Sequence, residues 1–190
     1  VRELFDSPTV AALASCASRR LGVGGRRTLV AAERPSRIPL SLAQQRMWFL
    51  NRLDPGSSVY NIPLAIRLSG ELDLGALDLA IRDVIDRHES LRTSYPSDED
   101  GPFQQIGDVA DVGLDLAPIA CASEMELIDR VRETITRGFD VSSGVPVRVQ
   151  LFALAEDNHV LAVSVHHISA DGVSMAPLAR DVMTAYVART

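Results

Sequence analysis

Residues 159–174 read HVLAVSVHHISADGVS, and this stretch limits the possible folds more than any other. Val160 to Val165 is an apolar run interrupted only by Ser164 and rich in β-branched residues, short for a helix and suited to a strand buried on both faces. It leads into two adjacent histidines, then Asp171-Gly172, then a helix start at Ser174. Strand side chains alternate between faces, so His166 should lie with Ser164 and Ala162, and His167 with Val165 and Val163. Two imidazoles on opposite faces have different surroundings: one is expected to be packed and hydrogen-bonded, the other open to a cleft. Gly172 is expected to take a positive φ or to allow a close approach. Asp171, across a sharp turn, is expected to return as an acceptor or an ion-pair partner.

The 190 residues suffice for one domain with a proper core, and 46% hydrophobic with 23% charged residues is an ordinary globular balance. A net charge of −6 leaves no basic stripe to cover phosphates, which argues against a nucleic-acid partner. Cys16 and Cys121 lie far apart with no CxxC, so neither a disulfide framework nor a zinc pattern is present, and a reducing cytoplasmic location is expected. No signal peptide and no apolar stretch of membrane-spanning length occurs, so no membrane partner is expected. The paired histidines face opposite ways and no third ligand has suitable spacing, so no metal is expected either. The absent start methionine and the ending inside a helix-like pattern suggest a piece of a longer polypeptide.

Residues 1–21 carry a helical signal with Ser7 as N-cap, Pro8 at the first helical position, and Val10, Leu13, Ala14, Ala17 and Leu21 on one face. Residues 22–37, rich in glycine, arginine and alanine, read as an exposed linker. A new domain is expected to open at Ile38. Ser41 and Gln44 form a capping box for a helix that ends before Asp54-Pro55-Gly56, with Trp48 as a core aromatic. Asn61 to Leu68 alternates as a strand. Asp73 caps a helix whose stripe Leu74, Leu77, Ile81, Val84, Ile85, His88 and Leu91 should face a sheet, which makes His88 a packed core histidine. An acidic turn at 97–102 and short strands at Phe103–Ile106 and Val112–Ile119 follow. Ser123 and Glu126 form a second capping box, opening a helix with Ile128, Val131, Ile135 and Phe139 on its inner side. Val145–Leu154 and His159–His166 read as strands joined by a hairpin loop at Ala155–Asn158, with His159 exposed. Ser174 caps a last helix, with Pro177 in its first turn and Leu178, Val182, Met183, Tyr186 and Val187 as its buried face. The order of elements predicts an α/β (α+β) fold with a mixed sheet flanked by helices.

Three stretches together carry a resemblance. Residues 166–172 have the pattern HHxxxDG. Residues 41–50 match SxAQxRxWxL at Ser41, Ala43, Gln44, Arg46, Trp48 and Leu50, and residues 87–93 match RHExLRT. In order and spacing they resemble the condensation domains of non-ribosomal peptide synthetases, within the wider chloramphenicol acetyltransferase-like acyltransferases, over most of residues 38–190. Residues 4–14 resemble the last helix of a peptidyl carrier domain, LFxxPTVAxLA. No GGxS-like motif occurs, so the serine that would take phosphopantetheine is not in this chain.

The resemblance implies a chloramphenicol acetyltransferase-like lobe that forms amide bonds. An aminoacyl group on a downstream carrier would attack the acyl or peptidyl thioester of an upstream carrier, both held by 4'-phosphopantetheine arms, with no cofactor bound by this chain. The implied partners are the upstream and downstream peptidyl carrier domains, the second lobe of the condensation domain, and an adenylation domain in the same polypeptide. His167 becomes the catalytic candidate, as base or orienting group, with His166 beside it. Asp171 suits a structural role, tied to Arg87 or Arg92 by a bidentate ion pair; the alternative leaves both arginines as solvated helix-end cations. Gly172 and the helix start near Ser174 are expected to bring backbone N–H groups to the developing oxyanion. Val173 stands where many members have tryptophan, which leans towards epimerisation domains; the opening motif argues the other way and leans towards an L-configured donor. The alternatives are an epimerisation domain, an ester-forming acyltransferase or a non-catalytic carrier-docking module. The chain ends about where the first of two lobes should, so alone it is expected to bind carriers weakly and catalyse nothing.

Overall fold

The computed structural model describes residues 6–20, 30 and 33–190. The chain divides into two compact units, Val1–Arg34 and Pro35–Thr190. In the first, helix α1 (Val10–Arg20) is capped by Thr9, whose Oγ1 accepts the Ala12 N–H at 3.2 Å. The cap is therefore Thr9 and not Ser7, because Thr9 is the hydroxyl one step outside the first helical residue. Leu4, Phe5, Leu21 and most of the expected linker lie outside the described residues.

The second unit runs β1 (Ile38–Pro39), α2 (Leu42–Leu53), β2 (Asn61–Ser69), α3 (Leu74–Arg87), a 3-10 turn (Glu89–Arg92), β3 (Thr93–Ser94), β4 (Ser97–Asp98) and β5 (Gly101–Ile106). A second 3-10 turn (Val109–Val112) leads to β6 (Ile119–Ala120), α4 (Glu124–Thr136), β7 (Val147–Ala155), β8 (Asn158–His166) and α5 (Met175–Val187). The principal sheet has the order β2-β8-β7-β6, antiparallel except that β6 runs parallel to β7, so it is mixed. A smaller sheet joins β1, β3 and β4 to β5.

Local chemistry sets the element boundaries. The Ser41 hydroxyl accepts the Gln44 N–H while the Gln44 side chain accepts the Ser41 N–H, the full capping box that starts α2. Asp73 Oδ1 accepts the Ala76 N–H at 2.9 Å and starts α3. At α4 only half a box forms: Ser123 caps Glu126, but the Glu126 carboxylate turns back to the Ala122 N–H. The β7–β8 hairpin closes with two residues, Glu156 and Asp157, since Ala155 already pairs with Asn158. Residues 113–118 form no strand; only Ile119–Ala120 join the sheet.

Alternation along β8 divides the core in two. Leu161, Val163 and Val165 face α3 and α5, meeting Leu77, Ile81, Val84 and Ile85 and, from α5, Leu178 and Val182. Val160 and Ala162 face α4, meeting Leu127, Val131 and Ile135. Every residue of β8 after Asn158 is buried, as expected of a strand covered on both faces. That includes His159, only 6% exposed, which corrects the expectation of an exposed residue: it is flanked by Leu68 of β2 and Ala153 of β7. On α5, Met183 and Val187 are exposed rather than buried, leaving Leu178, Val182 and Tyr186 as the packed side. Among the described residues no helix is long and apolar enough to cross a membrane.

Candidate active site

The two histidines have the unlike surroundings that alternation requires. His166 is 1% exposed, between the rings of Tyr60 at 6.3 Å and Phe139 at 6.1 Å. Its Nδ1 accepts the Ile168 N–H at 3.1 Å, so the ring proton of the neutral imidazole sits on Nε2. Burial first, and the neighbouring His167 second, lower its pKa from 6.5 to about 4. His167 is exposed. Its N–H donates to the Tyr60 carbonyl at 2.8 Å, one step past the last β2–β8 pair, Asn61 with His166. The backbone at His167 is thus held by the sheet while its imidazole is open.

Asp171 does not meet an arginine. It lies in the exposed turn before α5, where its Oδ1 accepts both the Ser174 hydroxyl (2.6 Å) and the Ser174 N–H (2.9 Å). These bonds, the hydroxyl first, lower the Asp171 pKa. Ser174 holds the N-cap position of α5 but makes no side-chain cap; Asp171 satisfies this turn instead. Arg87 pairs with Asp181 of α5 at 3.4 Å, and Arg92 donates to the carbonyls of Gly107 (2.7 Å) and Asp86 (3.1 Å). The expected ion pair from Arg87 or Arg92 to Asp171 is therefore absent among the described residues, because Asp171 closes locally on Ser174 and both arginines face other acceptors. His88 is half-buried and bonds Asp181 through Nε2 at 2.8 Å, tying α3 to α5 rather than packing in the core. Gly172 has no positive φ, and a Cβ there would meet nothing within 4 Å. Neither conformational freedom nor crowding demands glycine at that position.

A third cluster supports the motif from below. Ile168 is buried with Leu40, Tyr95, Phe139 and Val141, and Met47 and Trp48 of α2 pack against them. Trp48 is half-buried, its Nε1–H donating to the Tyr95 carbonyl at 2.8 Å. Asn51, 3% exposed, donates to the Phe139 carbonyl and accepts the Val141 N–H, fixing the segment whose ring touches His166. Arg148 of β7, opposite Ser164, donates to the carbonyls of Thr134, Arg137 and Gly138 and lies over the Phe139 ring at 4.3 Å. It thereby satisfies the C-terminal end of α4; burial, then Arg137, lowers its pKa.

Sequence reasoning missed Asn51, Tyr95 and Arg148. Arg148 between two valines was the readable signal, since period two places it opposite them; the others depend on contacts between distant parts of the chain. Among the described residues no three His, Cys, Asp or Glu side chains are grouped to hold a metal ion. A purely apolar cavity of about 160 Å³ lies between the sheet and helices α3 and α5, on the Val163 side.

The condensation-domain profile matches residues 35–190, the compact unit that carries this cluster. The chain belongs to the condensation-domain family. It is 46% identical over 189 residues to a dimodular nonribosomal peptide synthase of Bacillus subtilis (strain 168), covering all of this chain and 8% of that protein. The solved complex of the X-domain and OxyB from teicoplanin biosynthesis is 42% identical with a TM-score of 0.81, over 87% of this chain and 36% of that one. The starter condensation domain of rhizomide synthetase, 24% identical with a TM-score of 0.72, shares the fold. The condensation-domain region is thus of the chloramphenicol acetyltransferase-like, mixed α/β kind. It spans about a third of the length of these solved chains.

Proposed function

We propose that this condensation lobe takes part in amide-bond formation between carrier-bound substrates, with His167 at the reacting groups. The observation that carries the reading is the exposed His167 imidazole on a backbone fixed to β2, beside a buried neutral His166. The amine of the aminoacyl acceptor attacks the carbonyl of the donor thioester. A C–N bond forms, the C–S bond breaks, and the phosphopantetheine thiol leaves. The amine must shed a proton on the way, and an imidazole can accept it near neutral pH or hold the amine on line. The backbone N–H groups of α5 that follow Ser174 are assigned to the developing oxyanion, the Ser174 N–H itself being taken by Asp171.

Residues 1–21 fit the end of the carrier that precedes the lobe. The second lobe, the carriers on either side and an adenylation domain complete the machinery in the cytoplasm; the lobe alone is inactive. A second reading, a docking module without chemistry, is favoured by the likeness to an X-domain solved in complex with OxyB. Epimerisation and ester formation remain the alternatives within the superfamily.

The test uses the polypeptide extended through the second lobe, with loaded donor and acceptor carriers, followed by product mass and chirality. Formation of a dipeptidyl thioester that collapses in His167→Ala supports the reading. An inverted stereocentre, an ester, or carrier binding without turnover replaces it with the corresponding alternative.

A further inference from the structure

The turn that presents His167 is anchored on both sides, and one anchor is not part of any motif. Before His167, the His166 N–H donates to the Pro146 carbonyl and the His166 Nδ1 accepts from Ile168. After it, the Ser169 N–H donates to the His166 carbonyl at 3.0 Å, and the Ser169 hydroxyl meets the Tyr95 hydroxyl at 3.0 Å. Tyr95 is itself immobilised. It is 0% exposed, its carbonyl accepts from Trp48 of α2, and its N–H donates to the Val141 carbonyl at 2.8 Å. The Gln44 side chain is held elsewhere, its Oε1 accepting the Ser41 N–H and its amide donating to Gln104 Oε1 at 3.4 Å.

We propose that Tyr95 is a positioning residue for His167, holding the histidine turn to helix α2 through its hydroxyl on Ser169 and its carbonyl on Trp48. This rests on the amide-forming reading above. A buried hydroxyl paired with a second hydroxyl makes a specific, short-range constraint. His167 has no comparable restraint on its exposed ring, so its direction is set by the backbone on either side. Releasing Ser169 frees the following side of that turn while leaving the strand, the core and the carrier surfaces in place. The effect belongs in the chemical step, because misplacing a reacting group by a fraction of an ångström lowers the rate without weakening binding.

The experiment compares wild type, Tyr95→Phe, Ser169→Ala, the double variant and Ser169→Thr in the polypeptide carrying both lobes. Amide formation on loaded carriers is measured alongside amide hydrogen exchange at Ser169 and Ala170. Tyr95→Phe and Ser169→Ala are each expected to lower kcat about tenfold with KM for the acceptor carrier unchanged. The double variant should lose no more than either single one, and Ser169→Thr, which keeps a hydroxyl, should restore most of the rate. Unchanged kcat in a folded Tyr95→Phe overturns the proposal. If Tyr95→Phe fails to fold, Ser169→Ala decides: full turnover there overturns it equally. If the wild type makes no amide, the functional reading fails on its own account, and exchange then judges the tether. Faster exchange at Ser169 and Ala170 in Tyr95→Phe supports it, and unchanged exchange overturns it.

Discussion

His166 accepts the N–H of Ile168 through Nδ1 at 3.1 Å, so a neutral imidazole closes the turn on which His167 stands. Protonating His166 would place a second N–H against that N–H and a charge among the rings of Tyr60 and Phe139.

The fold should therefore lose stability in mild acid. The His166 pKa falls from 6.5 to about 4 on folding, so the unfolded chain binds the proton more tightly. The contribution is fully present above pH 6.5 and declines as the pH drops towards 4, on the order of 3 kcal/mol across that window. His166→Asn keeps an acceptor close to the Nδ1 position and does not titrate. Urea unfolding between pH 4 and 7 should give a shallower dependence in His166→Asn; equal slopes in the two proteins would contradict the assignment.

Asn51 is a second stability determinant hidden in a motif helix. Asn51→Ala leaves the Phe139 carbonyl and the Val141 N–H without their partner in a buried place. A loss of about 2–3 kcal/mol is expected, read as a lower urea midpoint with an unchanged m value.

Two glycines should answer alanine in opposite ways. A Cβ on Gly138 would lie 2.4 Å from the Pro55 carbonyl oxygen and 2.6 Å from the Gly56 carbonyl carbon, both backbone atoms that cannot rotate away. Gly138→Ala should cost about 2 kcal/mol or more. Gly172→Ala meets open space without a positive φ and should unfold like the wild type.

The apolar cavity beneath α5 offers room for a larger side chain. Ala179 lines it, and Ala179→Leu can place a branched side chain in the 160 Å³ void. A gain of about 1 kcal/mol is expected by the reverse of cavity creation. Thermal unfolding checks it, and a lowered midpoint would mean that the space is already closed.

Much of this architecture was legible because it follows from short-range patterns. The β8 run of apolar residues ending in His166 and His167 predicts opposite environments for the two rings, and one is buried while the other is exposed. The Ser41–Gln44 box and the Asp73 cap lie within three residues of the groups they satisfy. What failed depends on neighbours that a local pattern does not contain. His159 looked like an exposed strand end, but strands on both sides cover it. Asp171 looked like the partner of a distant arginine, yet Ser174, three residues on, satisfies it first. The bond from Tyr95 to Ser169 joins positions 74 apart and has no periodic signature.

The place of β8 between β7 and β2 has a consequence in time as well as in space. Its partner β7 lies across a two-residue turn and can zip up early, whereas β2 is roughly a hundred residues away in the chain. Closing so large a loop is slow, so the β2–β8 ladder belongs to the late stage of folding. The Tyr60 carbonyl that receives the His167 N–H sits at the far end of that ladder. The backbone at His167 is consequently framed only when the chain has all but finished folding, and a half-folded chain leaves that histidine without its frame.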